Sequence, residues 1–120
     1  MNSNDVVNED IAFIIDSVET ELKALSGHRL LLTGGGGFLG YYIVNALMAW
    51  NKRCDDIGSQ GVDLVIYDNF IRGVPKWLVS FKDSQKLTVV KHNIIDPLPE
   101  DIGNVSYIIH AASIASPIYY

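Results

Sequence analysis

The chain has 120 residues, 48% of them hydrophobic and 19% charged, a length that fits one domain and a composition that excludes intrinsic disorder. Its net charge of −5 lacks the basic footprint of a nucleic-acid binder, and its single cysteine, Cys54, excludes an internal disulfide and fits a reducing compartment. No apolar run approaches the roughly 20 residues of a membrane helix, and no basic residue precedes an apolar run at the N-terminus, so a cytoplasmic protein without a membrane partner is expected.

Residues 1–8 read as a flexible tail. Apolar residues then recur at Ile11, Ile14, Ile15, Val18, Leu22 and Leu25, the spacing of a helix over 9–25 capped by Asn8 and stopped by Gly27. Residues 29–33, Arg-Leu-Leu-Leu-Thr, read as a strand buried on both faces. Four glycines follow, then a second helical pattern with Leu39, Ile43, Ala46, Leu47 and Trp50 on its apolar face. The polar stretch 51–61 is predicted to be a loop. Further strands are predicted at 62–67, 86–91 and 105–110, with a short helix from Pro75 to Phe81. Strands alternating with helices imply an α/β fold with a parallel sheet, and right-handed crossovers give the strand order 3-2-1-4 of a Rossmann-type doubly wound sheet, first half. The domain division is thus a tail over 1–8, an extra N-terminal helix over 9–27 and a dinucleotide-binding domain over 28–120.

Strand, glycines, helix is a phosphate-binding arrangement. Glycines let the backbone approach a pyrophosphate, and the first-turn N–H groups of the helix point at it. Gly35, Gly37 and Gly40 fit one register of the motif, and Gly34, Gly37 and Gly40 fit another. The second is preferred, because Thr33 ends the strand, Gly34 begins the turn and Gly40 falls inside the helix, where a missing side chain allows close packing. Asp68 ends the second strand, where a carboxylate accepts the adenosine ribose hydroxyls of NAD and repels the 2′-phosphate of NADP. It lies 28 residues after Gly40, further than the usual ~20, and the segment 51–61 accounts for the excess. Arg72 nearby is the feature that would serve NADP instead.

Three stretches together carry a family resemblance. Thr33-Gly-Gly-Gly-Gly-Phe-Leu-Gly40, Asp68-Asn69-Phe70 and His110-Ala-Ala-Ser-Ile-Ala-Ser-Pro117 closely resemble the extended short-chain dehydrogenase/reductase family of NAD-dependent sugar-nucleotide epimerases, dehydratases and decarboxylases. The last stretch is most like UDP-glucuronate decarboxylases, with dTDP-glucose 4,6-dehydratases close behind. The resemblance covers about residues 29–120. It implies that Gly34, Gly37, Phe38, Leu39 and Gly40 form the pyrophosphate turn and that Asp68 and Asn69 hold the adenosine ribose. It places Asn93 and Ile94 beside adenine, with Asn93 standing where the family usually has an aspartate. It places Ala111, Ala112 and Ser113 along the cofactor, and Ser116 where a UDP- or dTDP-linked sugar begins to be contacted.

Catalysis in the family uses a Tyr-x-x-x-Lys pair, the lysine lowering the tyrosine pKa so that the phenolate acts as base. Four residues after Tyr41, Tyr42, Tyr67 and Tyr107 stand Asn45, Ala46, Ile71 and Ala111, and Tyr119 and Tyr120 end the sequence. No catalytic residue is therefore assigned, and the sequence reads as the cofactor-binding half of an enzyme, inactive alone. The competing readings are a free-standing nucleotide-binding or regulatory module, and a homodimer formed through the 9–25 helix, which otherwise packs on its own domain. His28, His92 and His110 lack metal-ligand spacing and are assigned structural or solvent roles.

Overall fold

The computed structural model describes residues 3–70, 73–81, 83–92, 97 and 104–111. Its elements are α1 (Ser3–Ser17), α2 (Glu19–Leu25), β1 (Arg29–Thr33), α3 (Phe38–Asp56), β2 (Asp63–Asp68), α4 (Lys76–Val79), β3 (Leu87–Lys91) and β4 (Tyr107–His110). The strands form a parallel sheet in the order β3-β2-β1-β4, the α/β Rossmann-like order that the alternation of strands and helices implies.

Alternation along the strands sorts side chains between two faces. Leu30 and Leu32 of β1 and Leu64 and Ile66 of β2 pack into one core with Val44, Leu47 and Trp50 of α3. Leu31, Val65 and Tyr67 point to the other face, against Val90 and Val105. Burying a leucine or isoleucine fully is worth roughly 1.5–3 kcal/mol, so β1 and β2 are the strands that the hydrophobic effect holds hardest. The flanking strands are more open, with Val89 and Ile108 exposed. Among the described residues no helix is long and apolar enough to cross a membrane.

Three local readings change. The N-terminal helix begins at Ser3 rather than at residue 9, so part of the expected tail is helical and Asn8 lies inside α1 instead of capping it. Val7 extends the apolar stripe by one turn and packs against the core, next to buried Ile11 and Ile15. The helix also breaks, since Val18 adopts φ −122° and ψ 26° between α1 and α2. Ser17 hydroxyl donates to the Phe13 carbonyl at 2.7 Å, a back-bond that bends helices, and Leu22 of α2 remains in the core with Ile15.

The second change is in the segment expected to be a loop. α3 continues to Asp56. Asn51 is buried because its amide is satisfied by one backbone unit: its Nδ2 donates to the Val62 carbonyl at 2.8 Å and its Oδ1 accepts the Val62 N–H at 2.7 Å. Cys54, one turn on, is also buried. The third change is Leu39, which is not on the apolar face of α3 but is 60% exposed beside the glycine turn.

Candidate functional site

β1 ends at Thr33, and the chain must then reverse into α3 without leaving the sheet. Gly34 makes the reversal with φ +78°, a left-handed conformation that a side chain disfavours. Its N–H donates to the Tyr67 carbonyl at 2.8 Å, which ties the start of the turn to β2. Gly37 is the N-cap of α3, with no side-chain cap. The Tyr41 N–H reaches the Gly37 carbonyl at 2.9 Å, the first bond of the helical ladder. The N–H groups of Phe38, Leu39 and Gly40 therefore precede the ladder and need acceptors from outside it. Gly40 is buried where α3 crosses the turn, and a Cβ there would fall 2.7 Å from the Gly35 Cα and against its carbonyl. Gly34, Gly37 and Gly40 thus take the turn, cap and crossing positions of the preferred register.

Gly36, which neither register includes, and Gly35, which belongs only to the register not preferred, are constrained as well. A Cβ on Gly35 would run into the Ile66 side chain. The Gly36 N–H donates to Asp68 Oδ2 at 2.9 Å, and a Cβ there would lie 3.0 Å from that oxygen and 3.3 Å from the Phe70 ring. The sequence signal for both was the unbroken glycine run itself, which satisfies more contacts than either three-glycine register requires.

Asp68 is the last residue of β2. Its Oδ1 accepts the Phe70 N–H at 2.8 Å, in a tight turn that sets Phe70 at φ +51°. Both carboxylate oxygens are thus held by backbone N–H groups, one of them from the glycine turn. Each oxygen keeps a further lone pair, so the group stays able to accept a ligand hydroxyl. The Asp68 carbonyl accepts the His92 N–H at 2.8 Å, which fixes the end of β3 beside it. Asn69 follows, exposed.

On the other side of β1, the Ala111 N–H donates to the Thr33 carbonyl at 2.9 Å. Thr33 Oγ1 lies 2.7 Å from His110 Nδ1. The structure thus gathers the glycine turn, Asp68, Asn69 and Ala111 at the C-terminal ends of β1, β2 and β4. Asn93, Ile94, Ala112, Ser113, Ser116 and Arg72 lie outside the described residues. A cleft of about 740 Å³ lined by Trp50, Arg53, Ser59 and Gln60 opens at the opposite end of α3. Of its lining charges Lys23 pairs with Glu19, and Arg53 pairs with Asp16 outside the cleft, and none of the gathered residues lines it.

No protein-family model matches the chain. The chain is 28% identical over 92 residues, 77% of its length, to UDP-glucuronic acid decarboxylase 1 of Arabidopsis thaliana. It is 30% identical over 95 residues, 79% of its length, to UDP-glucuronic acid decarboxylase 6 of the same plant, and 29% identical over 92 residues to UDP-glucuronic acid decarboxylase 1 of Danio rerio. The matches span 18%, 24% and 19% of those relatives, so the chain covers about a fifth to a quarter of their length.

Proposed function

The resemblance of this chain to the extended short-chain dehydrogenase/reductase family is borne out by its decarboxylase relatives, and from it we propose that the chain is the NAD-binding part of a nucleotide-sugar-modifying enzyme. The observation that carries the reading is the hydrogen bond from the Gly36 N–H to Asp68 Oδ2. It ties the carboxylate that would take the adenosine ribose to the turn that would take the pyrophosphate, so both ends of one ligand half are set by one contact.

The groups present fit a dinucleotide. α3 is 19 residues long and lacks a side-chain cap, so its N-terminal N–H groups and its dipole favour an anion there. A side chain at Gly36 would press on the carboxylate and the Phe70 ring, which would have to give way. Leu39 is exposed on the first turn of α3, where a bound dinucleotide would cover it. Asp68 bears a charge that would favour ribose hydroxyls over a 2′-phosphate, which supports NAD over NADP. What NAD supplies when bound is a reversible hydride acceptor. The residues of this chain bind and orient.

Turnover needs a base that removes a hydroxyl proton as hydride leaves, and no Tyr-x-x-x-Lys occurs in these 120 residues. The chain is therefore proposed to bind NAD without converting a sugar nucleotide, with a UDP- or dTDP-linked sugar as the substrate of the whole enzyme. Calorimetric titration of the chain with NAD and NADP tests this. Saturable NAD binding with weaker NADP binding is expected. A folded chain with no affinity for NAD, or with higher affinity for NADP, would refute it.

A further inference from the structure

We propose that the outward face of α1 is a docking surface for a basic amphipathic helix of a partner protein. α1 and α2 hold six of the chain's fourteen acidic residues and one of its nine basic ones, so their net charge of −5 equals that of the whole chain and residues 26–120 are balanced. Both helices precede the stretch 29–120 that resembles the family, so their surface is an addition to the family's fold. Val7, Ile11, Ile14 and Ile15 turn one side of α1 to the core. Helical periodicity puts Val6, Glu9, Phe13 and Asp16 on the opposite side, and all four are exposed. Phe13 is 73% exposed and Val6 45%. The two stand about 10 Å apart along the axis, the i, i+7 spacing of anchors in helix recognition.

Charge decides the occupant. The helical neighbours of Phe13 at three and four residues on either side are Glu9, Asp10, Asp16 and Ser17, all exposed. Glu9 and Asp10 are also the neighbours of Val6, so carboxylates fill the space between the two apolar residues. Of these three acids only Asp16 is ion-paired among the described residues, to Arg53 at 3.2 Å. An aromatic anchor bordered by carboxylates is complementary to apolar residues flanked by lysine or arginine. A second copy of the same face would bring like charges together. A nucleic-acid backbone or an anionic lipid surface would be repelled in the same way. α1 has 15 residues and is about 22 Å long, so the contact belongs with small, transient interfaces, in which electrostatic attraction speeds encounter.

The probe is a labelled synthetic helix with a leucine stripe flanked by lysines, titrated with the full 120-residue chain at physiological ionic strength and read by fluorescence anisotropy. Saturable binding is expected, and none for the same peptide with glutamate in place of lysine. Phe13→Ala is expected to weaken binding about tenfold, the scale of one lost anchor. Glu9→Lys combined with Asp10→Lys is expected to weaken it about tenfold as well. Asp55→Lys combined with Asp56→Lys shifts the net charge equally at the far end of α3, and is expected to hold affinity within about threefold because distant charges are screened. All the altered side chains are exposed, so each variant is expected to keep its thermal melt. Absence of saturable binding, equal losses for the two charge reversals, or full affinity in Phe13→Ala would overturn the proposal. So would a Phe13→Ala melt lowered by several degrees, which would make Phe13 part of the packed structure. Binding of the glutamate peptide or of phosphatidylserine vesicles would overturn it too, as would a concentration-dependent dimer in sedimentation that Phe13→Ala abolishes, which would make the occupant a second copy.

Discussion

Gly37→Val separates ligand binding from folding at the centre of the glycine turn. Gly37 has φ −86° and ψ −173°, an extended conformation open to any residue. A Cβ there would meet only the Gly34 carbonyl, at an ordinary 3.6 Å. The fold therefore accommodates the substitution, at a cost of about 1 kcal/mol for replacing a tolerated N-cap glycine by valine. The proposed ligand would not accommodate it, because the branched side chain would stand where its pyrophosphate is proposed to approach the first-turn N–H groups. Hydrogen bonds to a charged group are worth about 1.5–3 kcal/mol each, so losing two of them removes about 3–6 kcal/mol of binding. That corresponds to a roughly 100-fold or greater rise in Kd. Calorimetric titration with NAD, paired with a thermal melt of the variant, reads both quantities. A Gly37→Val chain with a near-native melt and unchanged NAD affinity would refute the placement of the pyrophosphate.

Gly40→Ala is expected to do the reverse, since its Cβ would collide with the backbone of Gly35; a loss of about 1–3 kcal/mol in urea unfolding is the scale of such overpacking. Asp68→Ala removes the acceptor held by Gly36 and Phe70, and should weaken NAD binding while narrowing the preference over NADP, as read by competing titrations. Asn51→Leu leaves the N–H and the carbonyl of Val62 without their buried partner; at about 1–3 kcal/mol per unsatisfied group, denaturant unfolding should show a loss of about 2–6 kcal/mol. Incubation of the purified chain with NAD and UDP-glucuronate should yield no product by chromatography, and steady turnover free of any longer contaminant would show that a base other than Tyr-x-x-x-Lys operates.

The parts of the fold legible in the sequence were those set by local pattern. The continuous apolar run of β1, the helical spacing of α3 and the glycines between them are local features, and they specify strand, turn and helix wherever they occur. The alternation of strands and helices then implies parallel pairing, and chirality reduces the sheet to the order observed. Asp68 was legible as a strand-end carboxylate for the same reason. What tertiary structure alone decided depends on residues distant in the chain. Asn51 looks like a loop residue until Val62 supplies both its partners. Leu39 matches the apolar stripe of its helix, yet no element of the described fold covers it. The break at Val18 is not visible in the apolar stripe, which runs on through Ile15 and Leu22, and both residues are in the core. The contact between Gly36 and Asp68 and the pairing of Thr33 with His110 require β2 and β4 to lie on either side of β1. A local pattern specifies an element through its own backbone energetics, whereas a buried polar contact exists only once packing has removed water from both partners.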